Sequence, residues 1–141
     1  MLRKNVKIEL LKSVPLFSRC SKAELPELAL IADEVVFEAG RELVREGDDG
    51  REFFILVKGT AEVRRKGRWR NALEEGDFFG EIALVDGGLR TATVTTTEPS
   101  RCLVLGPRQF QNVLHQDADI AHSVMKALTL RVREAGAAKA D

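Results

Sequence analysis

Hydrophobic and polar positions change rhythm twice along the chain. In residues 5–12, Val6 with Leu10 and Ile8 with Leu11 fall at helical spacings, which predicts a short amphipathic helix ended by Pro15. Ser21, with Glu24 three residues on, has the form of a capping box ahead of Leu25, Leu28, Ala29 and Ala32, the apolar positions of a second helix. Pro26 lies too deep for a first helical position, so an irregular opening turn is expected there. From Val35 the pattern becomes short runs rich in Val, Phe, Ile and Thr, broken by Ala39-Gly40, Glu46-Gly47-Asp48-Asp49-Gly50, Lys58-Gly59, Lys66-Gly67 and Glu75-Gly76-Asp77. That is the rhythm of an antiparallel β sandwich or barrel. Phe53, Ile55 and Val57 alternate with Phe54 and Leu56, which predicts a strand buried on both faces, and Gly47 and Gly59 are placed for turns of positive φ.

After Pro99, Arg101-Cys102-Leu103-Val104-Leu105 reads as a last strand, and Gly106-Pro107 then opens a short helix over Phe110, Val113 and Leu114. Asp117 to Asp119 cap a longer helix from about Ile120 to Ala135, with a frayed tail over residues 136–141. The expected organisation is one domain: helices over about residues 3–33, a β barrel over about 35–105, and helices over about 107–135. No internal repeat or low-complexity linker divides it.

Composition narrows the function classes. Lys plus Arg equal Asp plus Glu at 22 each, so the summed charge gives no reason to expect a polyanion or a membrane surface as partner, and any anion recognition must be local. Cys20 and Cys102 lack CxxC spacing, which argues against a zinc site and for two free, partly buried thiols in a reducing compartment. No apolar run approaches the roughly 18 residues that would span a bilayer, and Met1-Leu2-Arg3-Lys4 leads into a mixed-charge segment without a signal-peptide core, so a cytoplasmic location is expected.

The stretch with most chemistry runs from Phe78 to Val94: a glycine-led turn, a short apolar helix-like run, a glycine pair, then the strand that continues to Thr97. Glu81 and Arg90 stand nine residues apart across it. Ile82, Ala83 and Leu84 form a small-residue turn able to present backbone N–H groups to an anion. Arg90 offers a guanidinium fork that matches two phosphate oxygens, a pairing of roughly 1.5–3 kcal/mol. Glu81, an acceptor when ionised, suits hydroxyl donors such as a ribose 2′-OH. Spacing alone allows an ordinary Glu81–Arg90 ion pair equally well.

The wording goes further than the spacing. Phe79-Gly80-Glu81-Ile82-Ala83-Leu84 followed by Arg90-Thr91-Ala92-Thr93-Val94 resembles the phosphate-binding cassette of the cyclic nucleotide-binding domain family. The resemblance extends to the helix-and-barrel order, to the turns in Arg45-Glu46-Gly47-Asp48-Asp49-Gly50 and Lys58-Gly59, and to the closing helix, about residues 10–135 in all. It implies an antiparallel jelly-roll β barrel with N-terminal helices and a C-terminal lid helix, holding one cAMP or cGMP. Arg90 would then meet the cyclic phosphate and Glu81 the ribose 2′-OH, with Gly80, Ile82 and Ala83 contributing backbone contacts. Thr91 would carry a hydroxyl near the phosphate or a syn guanine. Many members have proline just before the arginine, whereas Leu89 stands here.

Other patterns stand beside it in the sequence. Arg64-Arg65-Lys66-Gly67-Arg68-Trp69-Arg70 is a basic hairpin that could grip phosphates and stack a base, or be a solvated tip with Trp69 tucked back on the barrel. His115 and His122 fall in predicted helices as surface residues, so no metal site is expected, and no nucleophile–base arrangement marks an enzyme. In the final helix Ile120, Ala121, Val124, Met125, Ala127, Leu128, Leu130, Val132 and Ala135 cover well over half the circumference, wider than one core stripe. By resemblance this helix is the lid, with Arg131 or Leu128 meeting the base; the plainer reading has Arg131 complementing the helix end.

The function expected is reversible binding of cAMP or cGMP as a regulatory sensor, occupancy being coupled to the last helix. The alternative is an interaction or dimerisation scaffold of the same fold that has lost its ligand. Beyond the nucleotide, the expected partners are a second copy through the last helix or an effector protein, without a cofactor, a membrane or direct nucleic-acid contact.

Overall fold

The computed structural model describes residues 2–81 and 83–140, with the side chains of residues 86, 131 and 134–140 left out. The first helix, α1 (Lys4–Lys12), buries Leu11 and packs Ile8 and Leu10 on the core, while Val6, expected on the same stripe, is 42% exposed. A 3-10 turn (Pro15–Phe17) follows and buries Leu16 and Phe17. The capping box forms as expected: Ser21 N–H donates to Glu24 Oε1 at 2.8 Å and Glu24 N–H to Ser21 Oγ at 3.2 Å. Its turn ends early enough for α2 (Leu25–Ile31) to begin at Leu25. Pro26 thus sits in the first helical turn, where its missing N–H has no partner to lose, and the expected irregularity is absent.

Eight strands follow as two antiparallel sheets. β1 (Asp33–Phe37), β8 (Ser100–Leu105), β3 (Phe53–Lys58) and β6 (Phe78–Phe79) form the first, in that spatial order. β2 (Glu42–Val44), β7 (Thr93–Thr96), β4 (Ala61–Arg65) and β5 (Arg68–Leu73) form the second. Gly47 and Gly59 hold φ of 87° and 105°. The mainly β fold with flanking helices is as expected, but the barrel is not closed: among the described residues no ladder joins the two sheets. The two-residue β6 and three-residue β2 are too short to carry pairing around an edge.

Strand β3 explains the layering. Phe53 and Ile55 enter the helical core with Phe17, Phe110, Leu103 and Leu105; Phe54 and Leu56 enter a second core between the sheets with Cys102. Phe54 stacks on Phe79 at 4.9 Å between ring centroids, which fixes β6 and the glycine-led turn after it. The first sheet is therefore covered by helices on one face and by the second sheet on the other. Each fully buried Phe or Leu contributes about 1.5–3 kcal/mol of transfer free energy.

At the C-terminal side α4 (Pro107–Gln116) buries Phe110, and α5 (Ala118–Ala140) packs Ile120, Val124 and Ala127 inward. Asp117 Oδ1 accepts the N–H groups of Asp119 at 3.0 Å and Ile120 at 3.2 Å, capping α5. The helix passes residue 135, where the sequence pattern ended it and predicted a frayed tail; Ala137, Ala138, Lys139 and Ala140 are strong helix formers and offset the low propensity of Gly136.

Candidate cyclic nucleotide site

Beyond Phe79 the chain turns at Gly80, with φ +84°, into Glu81 and then α3 (Ala83–Asp86). It returns through Gly87 and Gly88 to Leu89 and Arg90, just ahead of β7. A cavity of about 430 Å³ opens on this segment. Gly80, Glu81, Ala83, Arg90 and Thr91, all expected from sequence, line it together. Val44, Val63, Leu73 and Phe79 make its apolar wall from the facing sheets. That wall is not among the site residues expected from sequence; the inward positions of β2, β4 and β5 are the signal that points to it. Leu128 packs against the helical core and is not among the cavity's lining residues. Ile82 and the Arg131 side chain lie outside the described residues.

Glu81 and Arg90 are each only 8% exposed. The Arg90 backbone is anchored on both sides: its N–H donates to the Asp48 carbonyl at 2.9 Å and its C=O accepts the Gly47 N–H at 2.9 Å. Leu89 bridges Asp49 as an antiparallel pair. These contacts fix the turn where Leu89 replaces the proline common in the resembling family.

The Arg90 guanidinium packs close against two glycines. A Cβ at Gly50 would come within 2.7 Å of Arg90 Nε, and one at Gly80 within 2.5 Å of Nη1. Nη2 donates to the Glu52 carbonyl at 2.6 Å, and the Glu52 carboxylate stands 3.9 Å away, half exposed. The buried Nε has no hydrogen-bond partner among the described residues. Burial lowers the Arg90 pKa and nearby Glu52 opposes that shift, while the guanidinium keeps its charge. Neither Gly50 nor Glu52 was singled out as a site residue from sequence, since each reads as part of a surface turn. A buried cation satisfied by one carbonyl and a distant carboxylate, at the edge of a cavity, is a strong receptor for an anion.

The sequence model of the cyclic nucleotide-binding domain family matches residues 34–117. The chain belongs to this family. Over 107 residues, 75% of the chain, it is 36% identical to the cAMP-dependent protein kinase regulatory subunit of Eremothecium gossypii. Over 119 residues, 84% of the chain, it is 31% identical to the corresponding subunit of Schizosaccharomyces pombe. It spans 23% and 29% of those relatives. Among solved structures, the N-terminal domain of a transcriptional regulator from Streptomyces coelicolor A3(2) superposes with a TM-score of 0.81 at 28% identity, covering 89% of this chain and 94% of that one. Catabolite activator protein from Thermus thermophilus gives 0.67 at 25% identity, covering 87% and 60%.

The remaining expectations divide. His115 and His122 are exposed on α4 and α5. Trp69 is 56% exposed and is not tucked against the sheets, because β5 is an edge strand whose residues 68–72 all face solvent. Cys20 and Cys102 are both unpaired thiols. No described helix is long and apolar enough to cross a membrane.

Proposed function

We propose that the chain is a cytoplasmic sensor module that binds cAMP reversibly, without hydrolysing it, and passes occupancy to its C-terminal helix. The observation that carries this reading is the buried Arg90 guanidinium, packed close against Gly50 and Gly80 at the cavity edge with Nε lacking a partner among the described residues. The cyclic phosphate takes the open donors of Arg90, and Glu81, with the backbone of Gly80, Ile82 and Ala83, takes the ribose. The apolar wall of Val44, Val63 and Leu73 takes the purine face. cAMP is preferred to cGMP in this reading because the kinase regulatory relatives are named for cAMP.

Coupling to the last helix rests on shared packing. Leu84, in α3, is 2% exposed and belongs to the same core as Ile120 and Val124 of α5. Gln111 Nε2 of α4 donates to the Leu84 carbonyl at 3.4 Å. Ligand that tightens the cassette therefore biases α4 and α5, and Leu128 or Arg131 reaches the base only in the arrangement that bias favours. Met125 and Val132, 62% and 71% exposed one heptad apart, give α5 an apolar stripe for a second copy or an effector protein.

Thermal unfolding with and without nucleotide tests the reading. At a hundredfold excess over Kd, cAMP stabilises the fold by about 2.7 kcal/mol, and the nucleotide is recovered intact. Absence of stabilisation by either cAMP or cGMP at millimolar concentration overturns the sensor in favour of the scaffold.

A further inference from the structure

The second sheet ends in the β4–β5 hairpin, and β5 pairs with β4 on one side while its other edge meets no strand among the described residues. From Arg68 to Ala72 every residue is exposed. Alternate N–H and C=O groups of such an edge point to solvent and are free to pair with an added strand. Five of the seven positions from Arg64 to Arg70 are cationic, in a chain whose charges balance overall. Two of these cations are already engaged: Arg64 Nε donates to Glu62 Oε1 at 2.9 Å, and Arg65 Nε to the Thr91 carbonyl at 3.1 Å. The guanidinium groups of Arg68 and Arg70 have no hydrogen bond or ion pair among the described residues. Between them stands Trp69, registered opposite Arg64, and Arg70 is the extra residue of a bulge where pairing shifts from Val63–Asn71 to Arg64–Trp69.

We propose that this edge docks an extended acidic segment of another protein, which adds to β5 as a further strand. Its carboxylates lie beside Arg68 and Arg70, and one of its apolar side chains covers Trp69. Charge selects the occupant. A second copy of the hairpin would bring the same cations against this edge and is repelled, whereas an acidic strand is drawn to it. The bulge keeps the added ladder short, so the arginines and Trp69 supply much of the selectivity. Arg68, Trp69 and Arg70 lie outside the cavity lining, although Arg65 joins their hairpin to the cassette at the Thr91 carbonyl.

Trp69 is the single tryptophan of the chain, so its emission reports the edge directly. The full chain is titrated at low salt with a short synthetic peptide alternating Glu and Val around one Phe. The expected result is a saturable blue shift of Trp69 with protection from acrylamide quenching. In the Arg68→Glu/Arg70→Glu variant, with an unchanged circular dichroism spectrum, the dissociation constant rises at least about tenfold. The same peptide N-methylated at alternate residues loses binding, as strand addition requires. An unmoved emission, equal binding by the charge-reversed variant, or equal binding of the methylated peptide overturns the proposal. A shift produced only by single-stranded oligonucleotide or by phosphatidylserine vesicles overturns it in favour of those partners.

Discussion

Gly80 shows how one residue can control a site that it does not contact through a side chain. It holds φ +84°, and a Cβ there would stand 2.5 Å from Arg90 Nη1 and 2.7 Å from the Glu52 carbonyl. Gly80→Ala is expected to destabilise the fold by about 1–3 kcal/mol through backbone strain and to displace Arg90, weakening cAMP binding by roughly tenfold. Denaturant unfolding and nucleotide titration of the variant check both effects. Thr91 lies exposed at the cavity rim, where its hydroxyl can serve phosphate or a syn guanine. For Thr91→Ala the expected loss is larger for cGMP than for cAMP when the hydroxyl meets guanine, and equal when it touches phosphate alone; parallel titrations decide. The thiols make a separate point. Burial, with Glu24 and Asp117 nearby, pushes Cys20 from 9.0 to about 12, and burial pushes Cys102 to about 11. The folded state thus holds these protons above the pH at which an unfolded chain releases them. Their contribution to stability is present below about pH 9 and lost as pH rises through 11 to 12. A stability–pH profile of Cys20→Ser/Cys102→Ser should show a shallower alkaline decline.

At the scale of elements, capping chemistry was the most legible part of the sequence. The Ser21–Glu24 box forms with both reciprocal bonds, and Asp117 caps α5 through two backbone N–H groups. Asp117→Ala is expected to cost about 1 kcal/mol in thermal or denaturant unfolding, with cAMP affinity changed by less than about twofold. The alternation in β3 also read correctly, since a strand apolar on both faces needs two cores and the fold supplies them. What local pattern could not reveal was which edge a strand occupies. Trp69 was expected to pack back on the barrel, but its strand ends the second sheet and leaves it 56% exposed. Likewise the cassette wording carried Gly80, Glu81 and Arg90, while Gly50 and Glu52 became visible only when the β2–β3 connection wrapped the arginine. Pairing across 38 residues leaves no local trace.

At the scale of the whole molecule, β3 of the first sheet sends Phe53 and Ile55 into the helical core and Phe54 and Leu56 into the core between the sheets, while the cavity is lined by the second sheet, Phe79 and the cassette, apart from the helical core. The cassette links them, with Glu81 and Arg90 at the cavity and Leu84 in the helical core. Such an arrangement moves the helices only as far as the ligand binds one arrangement more tightly than the other. Everything in that account depends on Arg90 meeting the phosphate. Calorimetric titration of the wild-type chain and of Arg90→Ala with cAMP tests it most directly. The wild type should bind saturably, and the variant, still folded by circular dichroism, should bind at least about tenfold more weakly, as loss of a charged phosphate contact of roughly 1.5–3 kcal/mol requires. Equal affinity in the two proteins would contradict the account and place the phosphate elsewhere.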